Sequence, residues 1–124
     1  MSKKILIKNT IKPFNKSIEI EGDKSLSIRW ALLASQASGK SISTNLLKSQ
    51  DVLDTINCLR KLGVKILMDK KKCEIFGLGN NGYNYKKNIT LNAGNSGTLA
   101  RLIMGLLAHS KNKIKIIGDK SLSK

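Results

Sequence analysis

Two stretches hold the residues that could do chemistry, and both set small polar side chains beside a cation. In the first, Gly22-Asp23-Lys24-Ser25-Leu26-Ser27-Ile28-Arg29, a strand-like segment Ser17–Glu21 hands over directly to an apolar run. A helix starting here points its first free N–H groups outward, and such an end attracts anions. Ser25 is expected near the N-cap. Lys24 supplies a mobile ammonium, and Arg29, one turn beyond Ser25, a planar fork matched to carboxylate or phosphate. Gly22 is expected to take a turn conformation closed to other residues. The second stretch runs from Leu91 to Arg101 through Gly94-Asn95-Ser96-Gly97-Thr98, again after a strand and again opening a helix. Its glycines let backbone approach a ligand, successive N–H groups can form an anion nest, and Asn95, Ser96 and Thr98 add neutral hydrogen bonds. Either stretch alone reads equally well as a capped helix with solvated cations. Two in one small chain point to a shared pocket for a small acidic metabolite.

The elements that must position these residues follow from periodicity and punctuation. Short strands are expected at Lys4–Lys8 and Ser17–Glu21, then a largely buried helix from Ser25 to about Ala37, closed by Gly39. Ser41–Leu47 is β-rich. A second helix spans about Asp51 to Leu62, with Val52, Ile56 and Leu59 on one face and Gly63 as its stop. Asp51 in its first turn suits the helix dipole. Val64–Met68 and Cys73–Phe76 make a hairpin across Asp69–Lys72, Gly77–Asn88 is loop, Asn88–Asn92 is a strand, a helix runs to about His109, and Ile114–Ile117 is a last strand. Alternating strands and helices imply α/β packing. Gly118-Asp119-Lys120-Ser121-Leu122-Ser123 repeats Gly22 to Ser27 residue for residue, which implies recurrent units that each present a turn after a strand.

Composition narrows the function classes. The net charge of +15 raises nucleic acid as a partner. Yet only Arg29, Arg60 and Arg101 are arginine, the remaining basic residues are lysines scattered along the chain, and aromatics make up 4%. Readers of nucleic acid lean on arginine and stacking, so a basic nucleic-acid-binding module is the alternative supported by charge alone. Cys58 and Cys73 have neither zinc spacing nor the density of a disulfide scaffold and read as buried or neutral thiols. The apolar run at the N-terminus is too short for a signal sequence or a membrane span, which points to the cytoplasm.

Two nucleotide-site look-alikes fail. Gly39-Lys40-Ser41 imitates the end of a P-loop, but Ala34 stands where the first glycine belongs and a helix precedes it. Gly77-Leu78-Gly79-Asn80-Asn81-Gly82 fits the dinucleotide glycine pattern, but Tyr83 to Asn88 is a poor helix start.

The ordered set of Gly22-Asp23-Lys24-Ser25 with Arg29, Thr44-Asn45-Leu46-Leu47 with Asp51-Val52, Leu62-Gly63-Val64, Cys73-Glu74-Ile75, Gly94-Asn95-Ser96-Gly97-Thr98 with Arg101, and Gly118–Leu122 resembles the N-terminal part of the 5-enolpyruvylshikimate-3-phosphate synthase family, the 3-phosphoshikimate 1-carboxyvinyltransferases. The related family that acts on a UDP-sugar would carry Lys-Asn in place of Lys24-Ser25. The resemblance implies transfer of the enolpyruvyl group of phosphoenolpyruvate to the 5-hydroxyl of 3-phosphoshikimate with release of phosphate, without metal or organic cofactor. Lys24 is implied to contact both substrates, Ser25 and Arg29 to hold 3-phosphoshikimate, and Gly97 to border the phosphoenolpyruvate site, where the inhibitor glyphosate also binds. Asp51, Asn95, Thr98 and Arg101 are implied in supporting roles.

The implied fold is a two-domain, inside-out α/β barrel of repeated βαβαββ units, only part of it present. Residues 1–21 would be a strand segment of the other domain, and residues 22–124 an incomplete substrate-binding domain, its first unit at about 22–77 and the start of the next at about 88–124. An Arg-Pro would be expected after Lys124, and the acid/base residues would lie in the second domain. No catalytic residue proper is therefore expected in this chain, and the chain alone is expected not to turn over. The parent is expected to be a monomer.

Overall fold

Helix α1 (Lys24–Gln36) begins where Asp23, in extended backbone, accepts the Leu26 N–H on its carboxylate at 2.7 Å. The helix therefore starts at Lys24, and Asp23 rather than Ser25 sits at the cap. In this computed structural model, which describes residues 4–6, 8–10 and 12–124, the chain continues through β1 (Ser38–Ser43), α2 (Gln50–Lys61), β2 (Lys65–Met68), β3 (Cys73–Leu78), β4 (Thr90–Asn92), α3 (Gly97–Leu106) and β5 (Lys115–Ile117). A single 3-10 turn, Gly79–Asn81, follows β3, so the dinucleotide-like glycines open no helix.

Two sheets carry the architecture. In the first, β3 lies between β1 and β2 and is antiparallel to both, so β1 and β2 run parallel to each other and α2 makes the crossover. Ile66 stands opposite Ile75, and the alternation along β3 sends Cys73 and Ile75 into the core. Glu74 and Phe76 take the other face, where Glu74 receives Lys72 at 3.0 Å and Lys65 rides over the Phe76 ring at 4.9 Å. The second sheet is the parallel pair β4–β5, with α3 between them in sequence. The mixed α/β class and the order helix–strand–helix–strand–strand follow the sequence pattern.

One core joins the layers. Ile28 and Leu32 of α1, Val52, Ile56 and Leu59 of α2, Ile75 of β3, Leu91 of β4 and Leu99 and Ile103 of α3 are all buried within it. Each such aliphatic side chain removed from water contributes about 1.5–3 kcal/mol. Cys58 and Cys73 are buried, and burial pushes the Cys58 thiol up to about 11 against the opposing pull of Lys61.

Several expectations fail for physical reasons. Ser17–Glu21 forms no strand; its side chains are exposed, with Ile18 and Ile20 in solvent, because no described strand lies alongside to take its backbone groups. The Lys4–Lys8 strand falls partly outside the described residues, and Lys4–Leu6 and Lys8 are not strand. Helix α1 is half-buried rather than largely buried: Leu26 and Leu33 are 64% and 69% exposed, since no described element covers that face. It ends at Gln36, with Ala37 at its C-cap, and Gly39, at φ +96°, lies inside β1 rather than stopping the helix. That strand ends at Ser43, leaving Thr44–Leu47 as connection. Helix α3 ends at Leu106, short of His109. The glycine at 22 has no left-handed backbone. It is required because a Cβ there would run into the Asn45 carbonyl and meet the Leu47 nitrogen at 3.0 Å.

Candidate functional site

The starts of three helices gather at one end of the molecule. Lys24, the first residue of α1, reaches the first turn of α2 and pairs with Asp51, Nζ to Oδ2, at 3.0 Å. Asp54, one turn further along α2, lies against Gly94, where a Cβ would collide with its carboxylate. Arg29 and Leu33 of α1 line one groove of about 260 Å³ with Leu102 and Leu106 of α3. The last residue of α1, Gln36, shares a second hollow with Leu106 and Leu107 at the end of α3, so the two helices run parallel. With their N-termini together, the positive ends of their dipoles add. That second hollow, of about 530 Å³, sits at the opposite end beside Gln36, Tyr83, Tyr85 and His109. There the C-terminal ends of α1 and α3 disfavour an anion.

The first stretch is held from two sides. The buried Ser27 hydroxyl accepts the Leu47 N–H at 3.1 Å, fixing the connection between β1 and α2 against α1. Asn45 donates to the Ile20 carbonyl at 3.4 Å. Lys24 keeps 55% of its side chain exposed and Asp51 20%, so this ion pair positions the ammonium more than it stabilises the fold, being worth about 0–1 kcal/mol. Ser25 is half-buried and Arg29 exposed; among the described residues neither side chain has a hydrogen bond or ion pair.

The second stretch is a turn fixed almost atom by atom. Gly94, with φ +56°, donates its N–H to the Asn92 carboxamide at 2.9 Å, and its carbonyl accepts the Asp119 N–H at 2.8 Å. The Cys58 thiol donates to the Asn92 carbonyl at 3.3 Å, tying α2 to the end of β4. Buried Ser96 caps α3 by accepting the Leu99 N–H at 3.2 Å. Asn95 is exposed and donates its carboxamide to Asp119. Gly97 is the first residue of α3, and a Cβ built on it meets only Leu122, at 3.8 Å. Thr98 is half-buried and Arg101 exposed, and among the described residues neither makes a side-chain hydrogen bond.

Of the residues singled out from sequence, Lys24 and Asp51 are in direct contact, while Ser25, Gly97, Thr98 and Asn95 belong to the converging helix starts. Arg29 and Arg101 stand more than a turn along their helices, unpaired among the described residues. Sequence reasoning passed over Asp23, Asp54 and Asp119. An aspartate three residues before the first helical leucine is a cap signal that could have found Asp23, and the repeated hexapeptide then extends it to Asp119. No local signal marks Asp54. Among the described residues, no three His, Cys, Asp or Glu side chains cluster as a metal site, and no helix is long and apolar enough to cross a membrane.

The family model for EPSP synthase (3-phosphoshikimate 1-carboxyvinyltransferase) matches residues 8–124. The chain is similar to a 3-phosphoshikimate 1-carboxyvinyltransferase of Streptococcus pyogenes serotype M2, with 43% identity over 122 residues, 98% of this chain and 28% of that protein. Its similarity to the protein of that name from S. pyogenes serotype M49 is 46% over 112 residues, 90% of this chain and 26% of the relative. The structure of EPSP synthase from Acinetobacter baumannii superposes with a TM-score of 0.79 at 36% identity, over 86% of this chain and 24% of that one. The chain thus spans a little over a quarter of the length of the curated relatives it matches.

Proposed function

The chain belongs to the EPSP synthase family, and on that premise we propose that it forms one wall of a cleft that binds phosphoenolpyruvate and 3-phosphoshikimate, for transfer of the enolpyruvyl group to the 5-hydroxyl with release of phosphate. Lys24 reaches both substrates, Ser25 and Arg29 hold 3-phosphoshikimate, and the Gly97 backbone borders phosphoenolpyruvate. Asp51, Asn95, Thr98 and Arg101 support these contacts. The observation that carries this reading is the convergence of helix starts, made explicit by the 3.0 Å Lys24–Asp51 pair. Two substrates that each carry a phosphate and a carboxylate need unshared N–H groups and mobile cations in one place, and that end of the molecule supplies them. Residues 22–124 act as the substrate-binding part, residues 1–21 belong with the other domain of a monomeric parent, and the site is cytoplasmic. The chain by itself binds without turnover, since acid/base groups are supplied from elsewhere in such an enzyme.

Titrating the 15N-labelled chain with each substrate tests this. Amide shifts should concentrate at Lys24, Ser25 and Gly97 and be absent around Tyr83 and His109. A response spread over the lysines that duplex DNA reproduces at physiological salt would favour the basic nucleic-acid-binding alternative instead. Gly97→Ala sharpens the same test. Its methyl meets only Leu122 at ordinary contact distance, so the fold should hold, while glyphosate binding should weaken more than binding of phosphoenolpyruvate. Equal affinities before and after the change would remove Gly97 from the site.

A further inference from the structure

The hexapeptide Gly118–Ser123 has no part in the proposed substrate contacts, yet it is bonded directly to the Gly94–Thr98 turn. It leaves β5 with Ala93 donating to the Ile117 carbonyl at 2.8 Å, followed at once by Asp119 donating to the Gly94 carbonyl at 2.8 Å. The parallel ladder is thus prolonged until residue 119 lies beside the turn. There the two carboxylate oxygens of Asp119 divide their work. Oδ1 accepts the N–H groups of Ser121 at 2.9 Å and Leu122 at 2.8 Å, and Oδ2 accepts the carboxamide of Asn95. Leu122, brought round by that cap, covers Gly97.

We infer that Asp119 is a positioning residue of the phosphoenolpyruvate side of the cleft, acting through Asn95 and needing both of its oxygens to do so. This rests on the reading above that the turn faces that ligand. An exposed carboxamide such as that of Asn95 rotates freely unless a partner fixes its N–H, and fixing it leaves the amide oxygen and the following backbone N–H groups in one orientation. Three N–H donors take up the lone pairs of the Asp119 carboxylate and stabilise it in its charged form beside the turn. The same donors, the Leu122 N–H first and then Asn95, hold its pKa below the usual carboxylate range. Asparagine at 119 separates the two tasks. Its one oxygen can still cap Ser121 and Leu122, but its other terminal atom is a donor, so Asn95 must either let go or turn over to offer its oxygen, and in both cases loses the orientation the carboxylate imposed.

The test is a double-mutant cycle on this chain, read as phosphoenolpyruvate affinity from the Gly97 amide shift. Asp119→Asn removes a charge, which by itself favours an anion, so the coupling and not the single change is the signature. With Asn95 present, Asp119→Asn should be roughly three- to tenfold more damaging than in an Asn95→Ala background, while the Leu122 amide keeps its protection. The Asn95 side-chain protons of the ligand-free chain should exchange slowly in the wild type and fast in Asp119→Asn. Additive effects, with phosphoenolpyruvate still bound at Gly97, would overturn the positioning role and leave the site reading standing. No shift at Gly97 in the wild type would overturn the site reading and this inference with it.

Discussion

The sequence Gly-Asp-Lys-Ser-Leu-Ser occurs twice, and its two copies behave alike only in their local hydrogen bonds. Asp23 accepts the Leu26 N–H at 2.7 Å and Asp119 the Leu122 N–H at 2.8 Å, while Ser27 and Ser123 each donate to the carbonyl of their own aspartate at 3.0 Å. Beyond that turn the copies part. The first opens a 13-residue helix, and its lysine crosses to Asp51. The second follows β5 and bonds through its aspartate to Asn95. Six residues are enough to write a capped helical turn, because capping involves only atoms within the segment. What the spare oxygen or the ammonium then does depends on which neighbour the fold brings up.

Hydrogen exchange should separate the two copies most widely. Both copies are preceded by isoleucine-rich segments, but only Lys115–Ile117 pairs in a sheet, against Thr90–Asn92. Amides of 115–117 should be protected over those of Ser17–Glu21 by a factor on the order of 10³; equal protection would mean that the first copy also follows a paired strand.

Glycine substitution comes next in size. A methyl at Gly22 meets backbone of the Asn45–Leu47 connection, whereas the nearest atoms to one at Gly118 are three of the Leu122 side chain, its Cβ included, within 2.9 Å. Gly22→Ala should therefore destabilise by about 2–3 kcal/mol and Gly118→Ala by about 1–2 kcal/mol in urea melts, since the Leu122 turn can shift where the Asn45–Leu47 backbone cannot. The reverse order would show that the Gly22 contact relaxes easily.

The lysines give a smaller contrast. Lys24 is paired and half-exposed, so Lys24→Ala should weaken phosphoenolpyruvate binding to the chain by about three- to fivefold, the exposed range for an ion contact. Lys120→Ala, its counterpart, should leave the affinity within about 0.5 kcal/mol of wild type. Matching losses would assign the effect to overall charge.

The smallest effect is in pH. Because the Asp119 pKa is depressed in the folded chain, its contribution is complete above the ordinary carboxylate range and is lost as pH falls through the lower folded value. The Asn95 side-chain resonance should hold steady from neutral pH through the ordinary carboxylate range and move only below it. Asp54 also presents its carboxylate to this turn, at Gly94, so the titration should survive Asp54→Asn and vanish in Asp119→Asn.

The elements were legible because their causes are local. Gly63, at φ +89°, stops α2 after Leu62, and the Asp69 carboxylate takes the N–H groups of Lys71 and Lys72 to turn the β2–β3 hairpin. The anion-seeking helix starts at Lys24 and Gly97 were equally readable, from small polar residues after a strand and before an apolar run. Boundaries slipped where a partner strand decides them, as at Ser38, which joins β1 because Leu78 stands opposite. The failed Ser17–Glu21 strand is the same lesson reversed, since alternation without a neighbour leaves backbone groups to water.

Sequence alone determined the capped turns, the class of packing and the family, since each is carried by short-range order of residues. Tertiary structure alone decided that α1, α2 and α3 start at one end, that Lys24 meets Asp51, and that Asp119 reaches Asn95. Those contacts join residues more than twenty positions apart, and no local energy term distinguishes the partner that the sheet register finally places at bonding distance.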